Sequence, residues 1–193
     1  MLRMFVVLAM AAGFAAPALA QGVVLVPRAP AYKDGERFAG ALIGAGGERM
    51  PLAQSYAGLK TGRYLFQSVI GKDGKQVVTI ETNIDTLTGR VVSFDGMTKV
   101  TRSTCRAASY YPLVLDKEYV CTQVVEHDGK TSEVRKTSYV SQAHYRKNKL
   151  LYYCMVETED APDHTTSTEL CYTRNGKWVT QVRPISTTQK LSI

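Results

Sequence analysis

The stretch LYYCMVETEDAPDHTTSTELCY, residues 151–172, holds two cysteines that bracket five acids and a histidine. It reads as a hairpin. If Cys154 and Cys171 face each other across it, symmetry about the loop centre sets Tyr153 opposite Tyr172 and Met155 opposite Leu170. Leu151, Tyr153, Met155, Leu170 and Tyr172 then share one apolar face. Both cysteines share the other face with Tyr152, Val156, Glu169 and Thr173. The register that joins the sulfurs is the one that builds the apolar face, and a slip of one residue would scramble both. Directly opposed residues in such a pair stand about 4.5–5.5 Å apart, within disulfide reach.

The same period-two rhythm runs through the chain from Arg63 onward. RYLFQSVI, the turn GKDGK and QVVTIETNI form one hairpin signal. RVVSFDG and MTKVTRSTC follow after the turn DTLTG. YVCTQVVE and TSEVRKTSYV flank His127-Asp128-Gly129-Lys130, and Asp-Gly suits the tip of a hairpin. KLLYYCMVE, ELCYT and KWVTQVR supply further strands, and Asn175-Gly176 is expected to form a type I′ turn. Helical patterning is almost absent. The expected fold is therefore all-β, an antiparallel meander of about eight strands forming a small barrel or sandwich.

The N-terminal third differs. Residues 1–20, MLRMFVVLAMAAGFAAPALA, carry one arginine, an apolar run and Ala-Leu-Ala before Gln21, the layout of a secretory signal peptide. The run is too short for a membrane span, which needs about 20 residues. Residues 21–62 are rich in Gly, Ala and Pro and read as a flexible or loosely docked arm, with a short helix near Pro51–Leu59. Neither G-x-G-x-x-G nor a phosphate-gripping Gly-Lys-Ser/Thr occurs in it. The β-domain is then residues 63–193.

An exported chain with four cysteines points to two disulfides. The expected bonds are local, Cys105 with Cys121 and Cys154 with Cys171, while sequence leaves the crossed connectivities open. No C-x-x-C is present, and the spacings do not match zinc modules. Signal, disulfides and size suit a periplasmic or secreted protein. An outer-membrane barrel would need a continuous apolar face, which the charges and amides of TSEVRKTSYV and KWVTQVR interrupt.

Two stretches are candidate sites. Glu157, Glu159, Asp160, Asp163 and His164 crowd the loop of the quoted hairpin. They could bind calcium or a partner, or serve as the paired carboxylates of a small secreted hydrolase. The plainer reading is a solvated tip stapled at its base. The order of an EF-hand loop is absent, and an exposed tip lacks the apolar pocket that lifts a catalytic acid's pKa. Arg135, Lys136, Arg146, Lys147 and Lys149 interleave with tyrosines and His144, a composition that holds anionic polymers; the plainer reading is edge-strand lysines. The net charge of +7, one unit of it from Arg3, agrees with either.

No H-E-x-x-H and no G-x-S-x-G occurs, so no catalytic residue, metal or cofactor is assigned. The 11 tyrosines include the pairs Tyr110-Tyr111 and Tyr152-Tyr153, each expected to send one ring inward and one outward. The expectation is a non-catalytic exported domain that binds an envelope protein or an anionic polysaccharide or lipid. Export makes nucleic acid a poor partner, and no membrane span follows the leader.

Overall fold

The protein is described by a computed structural model over residues 22–60, 63–70, 76–83, 88–93, 96–105 and 110–190; for residue 57 and residues 59–99 the description is of the backbone. Residues 1–20, expected to form a signal peptide, lie outside these residues, as do Gln21, the GKDGK turn, most of DTLTG and the side-chain faces of the first hairpin.

The described residues form thirteen strands. They are β1 (Val24–Val26), β2 (Arg37–Ile43), β3 (Arg49–Lys60), β4 (Arg63–Ile70), β5 (Gln76–Asn83), β6 (Thr88–Ser93) and β7 (Gly96–Ser103). After them come β8 (Leu113–Val114), β9 (Glu118–His127), β10 (Lys130–Arg146), β11 (Lys149–Asp160), β12 (His164–Thr173) and β13 (Val179–Gln189). The all-β expectation holds. Eleven strands are hydrogen-bonded in the order β10-β11-β12-β13-β2-β3-β4-β5-β6-β7-β9, and β9 pairs back to β10, so the ladder runs round as a barrel. Among the described residues no helix is long and apolar enough to cross a membrane.

The hairpin of residues 151–172 has the expected register. Cys154 pairs with Cys171, Tyr153 with Tyr172 and Met155 with Leu170. The disulfides join Cys105 to Cys121 and Cys154 to Cys171. Tyr153 and Met155 are buried, as alternation requires. Leu151 is not: it is 48% exposed. A bulge explains this. Residue His144 pairs with Tyr152 but Tyr145 pairs with Leu150, so Leu151 is the extra residue and the faces exchange there. Leu150 packs on the core in its place.

Turn chemistry divides the same way. Asp128 and Gly129 both have positive φ (48° and 75°), the type I′ geometry expected of Asp-Gly. Lys147 and Asn148 (50° and 60°) form a second such tip. At Asn175-Gly176 only the glycine is positive, at 71°. That loop is wider: Thr173 N donates to Trp178 O, and the Asn175 side chain accepts from Thr173 Oγ1 and Lys177 N. The two side-chain bonds hold Asn175 out of the tighter turn.

Residues 21–62 depart furthest from expectation. The supposed arm contributes β1, β2 and β3, and strand β3 occupies the place of the helix expected near 51–59. Strands β2 and β3 are hydrogen-bonded into the barrel ladder, β2 to β13 and β3, and β3 to β4. The glycine that suggested flexibility has a steric role instead. Every step round the barrel is antiparallel except β13–β2, which is parallel and joined through Gln181 with Ala41 and Val182 with Leu42. A Cβ at Gly40 would stand 2.7 Å from the Val179 carbonyl oxygen and 2.9 Å from that of Thr180. Only glycine lets β2 approach so closely.

Strands β1 and β8 pair with each other and supply Leu25, Val26 and Leu113 to a cluster completed by Tyr119, Val140, Tyr153 and Met155. Tyr110, Tyr111 and Tyr172 pack against it. Both members of the 110–111 pair are thus drawn inward, with Leu113 and Leu115 of the same segment at the cluster. Tyr152 and Tyr153 divide as expected. Buried hydroxyls need partners: Tyr119 Oη accepts from Val114 N at 3.1 Å and donates to Pro112 O at 3.2 Å, and Tyr32 Oη donates to Lys177 O at 2.8 Å.

Two expectations follow. Gly40→Val forces the seam apart and costs about 1–3 kcal/mol in urea unfolding, against a near-neutral effect of the same change at an exposed strand position; equal stability would show that the seam does not need its close approach. Burial, with neighbouring tyrosines adding to it, raises the phenol pKa of Tyr32, Tyr153 and Tyr172; burial also raises Tyr110 and Tyr111. A raised folded pKa gives stability that is complete below the unfolded value, about 10, and lost as pH climbs toward the folded value. Absorbance at 295 nm should therefore show these five rings ionising only together with loss of near-ultraviolet circular dichroism. Ionisation of all tyrosines in the ordinary phenol range with the fold intact would contradict it.

Candidate functional site

The barrel wall separates the side chains that the sequence places side by side. Along β10, Val134, Ser138 and Val140 are buried while Arg135 and Tyr139 are exposed. Lys136 has the inward parity. Its ammonium lies 2.8 Å from Glu157 and 3.5 Å from Glu159 on β11. Burial alone would lower its pKa, but the two carboxylates outweigh it and raise the value. Lys136 is thus a half-buried group whose charge is matched by carboxylates of the neighbouring strand, in contrast to the other members of the candidate anion-binding set. Arg135 stays on the surface, but eleven residue steps along the strand, about 36 Å, separate it from Arg146. Arg146, Lys147 and Lys149 remain together, exposed at the β10–β11 tip. Among the described residues none of the three has an ion-pair partner.

The acidic loop divides as well. Glu157 and Glu159 lie on β11 and belong to Lys136. Asp160 pairs with Lys190 at 2.7 Å and accepts from Thr165 Oγ1 at 2.6 Å; these bonds hold its pKa below the usual carboxylate range. Asp163 is lowered chiefly by the His164 ring, whose Nδ1 is 2.7 Å from it. Lys190 N also donates to Asp163 O and Lys190 Nζ to Ala161 O. The tip is therefore tied down by the chain's own C-terminal segment, with each acid already partnered. Among the described residues no three His, Cys, Asp or Glu side chains gather as a metal site.

What the fold builds instead is a groove of about 560 Å³ on the outer wall, crossing from β10 to β3. His144 and Tyr152 stack at its edge with ring centroids 4.1 Å apart. Its floor carries Cys154, Cys171 and the buried Glu169. Glu169 is held by Arg183 at 2.9 Å and faces Gln142 Nε2 at 3.5 Å. Arg49 closes the far side. Among the described residues Glu169 is the lone acid of the groove lining, so these residues do not assemble the two-carboxylate geometry of glycoside hydrolysis there. The groove borders the β10–β11 tip through His144, Leu151 and Tyr152. Tyr145 and Tyr152 are 49% and 37% exposed there, an aromatic surface beside three free cations.

Of the basic residues singled out in the sequence, Arg146, Lys147 and Lys149 come together at this tip, and Tyr152 is exposed while Tyr153 is buried. Glu169 shares the cysteine face, as the register requires. Arg49, Gln142 and Arg183 carry no sequence signal as neighbours, because three separate strands bring them together and no local spacing marks them. No family profile, curated protein or solved structure matches the chain.

The interior ion pair makes a test of this sorting. Lys136→Met strands Glu157 against a half-dry wall and should cost about 3 kcal/mol in urea unfolding, and Lys136→Met with Glu157→Leu should recover most of it. Arg135→Ala should stay within about 0.5 kcal/mol. Equal small effects for positions 135 and 136 would place both on the surface.

Proposed function

We propose that this protein is an exported, non-catalytic β-domain, periplasmic or secreted, that binds an anionic polymer of the cell envelope. The observation that carries the reading is the β10–β11 tip, where Arg146, Lys147 and Lys149 stand exposed and unpaired beside Tyr145, Tyr152 and the groove. Cations at this density attract a polyanion by releasing its counterions. Exposed rings next to them add stacking area for sugar faces, and Arg49 extends the charge along the groove. Every acid of the 157–164 segment is committed to an internal partner, which supports binding over hydrolysis. The leader-like N-terminus and two disulfides are compatible with an oxidising compartment.

Retention of the mature protein on immobilised heparin at low salt tests this. Wild type should be retained and should elute as salt rises. Arg146→Ala/Lys147→Ala/Lys149→Ala should elute earlier, with the slope of log affinity against log salt reduced by roughly two to three. Arg135→Ala should elute with wild type. No retention of wild type, or unchanged elution of the triple variant, would remove the reading.

A further inference from the structure

A second depression, of about 500 Å³, is lined by residues 25–31 together with Leu150, Arg174, Asn175 and Lys177. Its lining is of two kinds. Leu25, Pro27, Pro30 and Leu150 give an apolar side. Arg28 and Arg174 are exposed cations without an ion-pair partner among the described residues. Lys177 is already committed: its ammonium pairs with Glu36 and lies 5.2 Å from the centre of the Tyr32 ring. Among the described residues no carboxylate belongs to the lining.

The walls are held in place before any ligand arrives. Residues 25–31 are anchored at one end by β1, whose neighbour Val23 accepts from Leu115 N at 3.0 Å. At the other end Tyr32 Oη donates to Lys177 O. The loop bearing Arg174 is fixed over Tyr153, since a Cβ at Gly176 would stand 2.7 Å from the Tyr153 hydroxyl. Preformed walls lower the ordering cost of binding.

We propose that this depression binds a free anionic amphiphile, a molecule with a phosphate or carboxylate head and an aliphatic tail. The head sits between Arg28 and Arg174, whose planar guanidinium groups match such oxyanions. The tail lies along Leu25, Pro27 and Leu150. A wholly polar anion makes no use of the apolar side, and a wholly apolar ligand desolvates two guanidinium groups without compensation. The volume falls in the small-molecule range of about 300–1,000 Å³. This site uses none of Arg146, Lys147 and Lys149, although Leu150 brings it up to the β10–β11 tip.

Calorimetric titration of the mature protein with dodecyl phosphate, kept below its micelle concentration, tests the proposal. Dodecyl phosphate should bind, while inorganic phosphate and the uncharged-head dodecyl maltoside should each bind at least tenfold more weakly. Arg28→Ala/Arg174→Ala, shown folded by circular dichroism, should lose at least tenfold for dodecyl phosphate and keep its retention on heparin within a small shift. The Arg146→Ala/Lys147→Ala/Lys149→Ala variant should bind dodecyl phosphate within twofold of wild type. Absence of binding, equal affinity for inorganic phosphate, or an arginine double variant that binds like wild type would each overturn it.

Discussion

The pairing of β11 with β12 at the Cys154–Cys171 position is the constraint on which the described wall depends. A strand has two faces and a register has one parity. Placing the two sulfurs opposite each other sends Tyr153, Met155, Leu170 and Tyr172 to one side and Tyr152, Glu169 and Thr173 to the other. The covalent bond closes a loop of 17 residues, a constraint on the unfolded chain worth roughly 3 kcal/mol in the loop-entropy picture. The same parity, carried across the ladder to β10, decides that Val140 faces inward and Arg135 outward. The two single-residue bulges in the β10–β11 ladder are the places where that parity is reset, and one of them delivers Leu151 and Tyr152 to the groove edge.

The interior that results is aromatic but not wholly apolar. Phenols meet in it, and their hydroxyls need acceptors as much as their rings need packing. Tyr119 and Tyr32 meet both demands through backbone carbonyls. Near one end, Lys136 bridges Glu157 and Glu159, an ionic contact across β10 and β11 that links neighbouring strands with geometry rather than bulk. Such a pair adds little net stability over apolar packing, but removal of one member leaves the other uncompensated. The described part of the barrel is therefore strict about which residue stands at each inward position.

Surface charge is sorted by the same geometry. Strand length separates Arg135 from Arg146 along β10, and pleat turns Lys136 to the other face. What survives outside is a local concentration, the β10–β11 tip, next to a groove whose own acid is matched by Arg183. A second concentration arises where the 174–177 loop meets residues 25–31, two segments far apart in sequence that the Tyr32–Lys177 bond draws together. Both surfaces are cationic with an apolar or aromatic side, and they are built from different strands and loops.

The sequence by itself determined the parts of this protein that rest on period two and local turns. These are the all-β class, most strand positions from Arg63 onward, the register of the cysteine hairpin, both disulfide partners and the Asp128-Gly129 tip. Each depends on residues that are near in the chain and alternate visibly. Tertiary structure decided the rest. Residues 37–60 look like a loose arm because small residues carry no β signal; their strand state comes from Gly40 and Ala41 fitting against β13, more than a hundred residues away. The acidic loop and basic stretch look like two sites because sequence lists charges in a line. In the folded wall Lys136 turns inward to Glu157 and Glu159, since pleat and cross-strand register, rather than neighbourhood in the chain, set which charges meet.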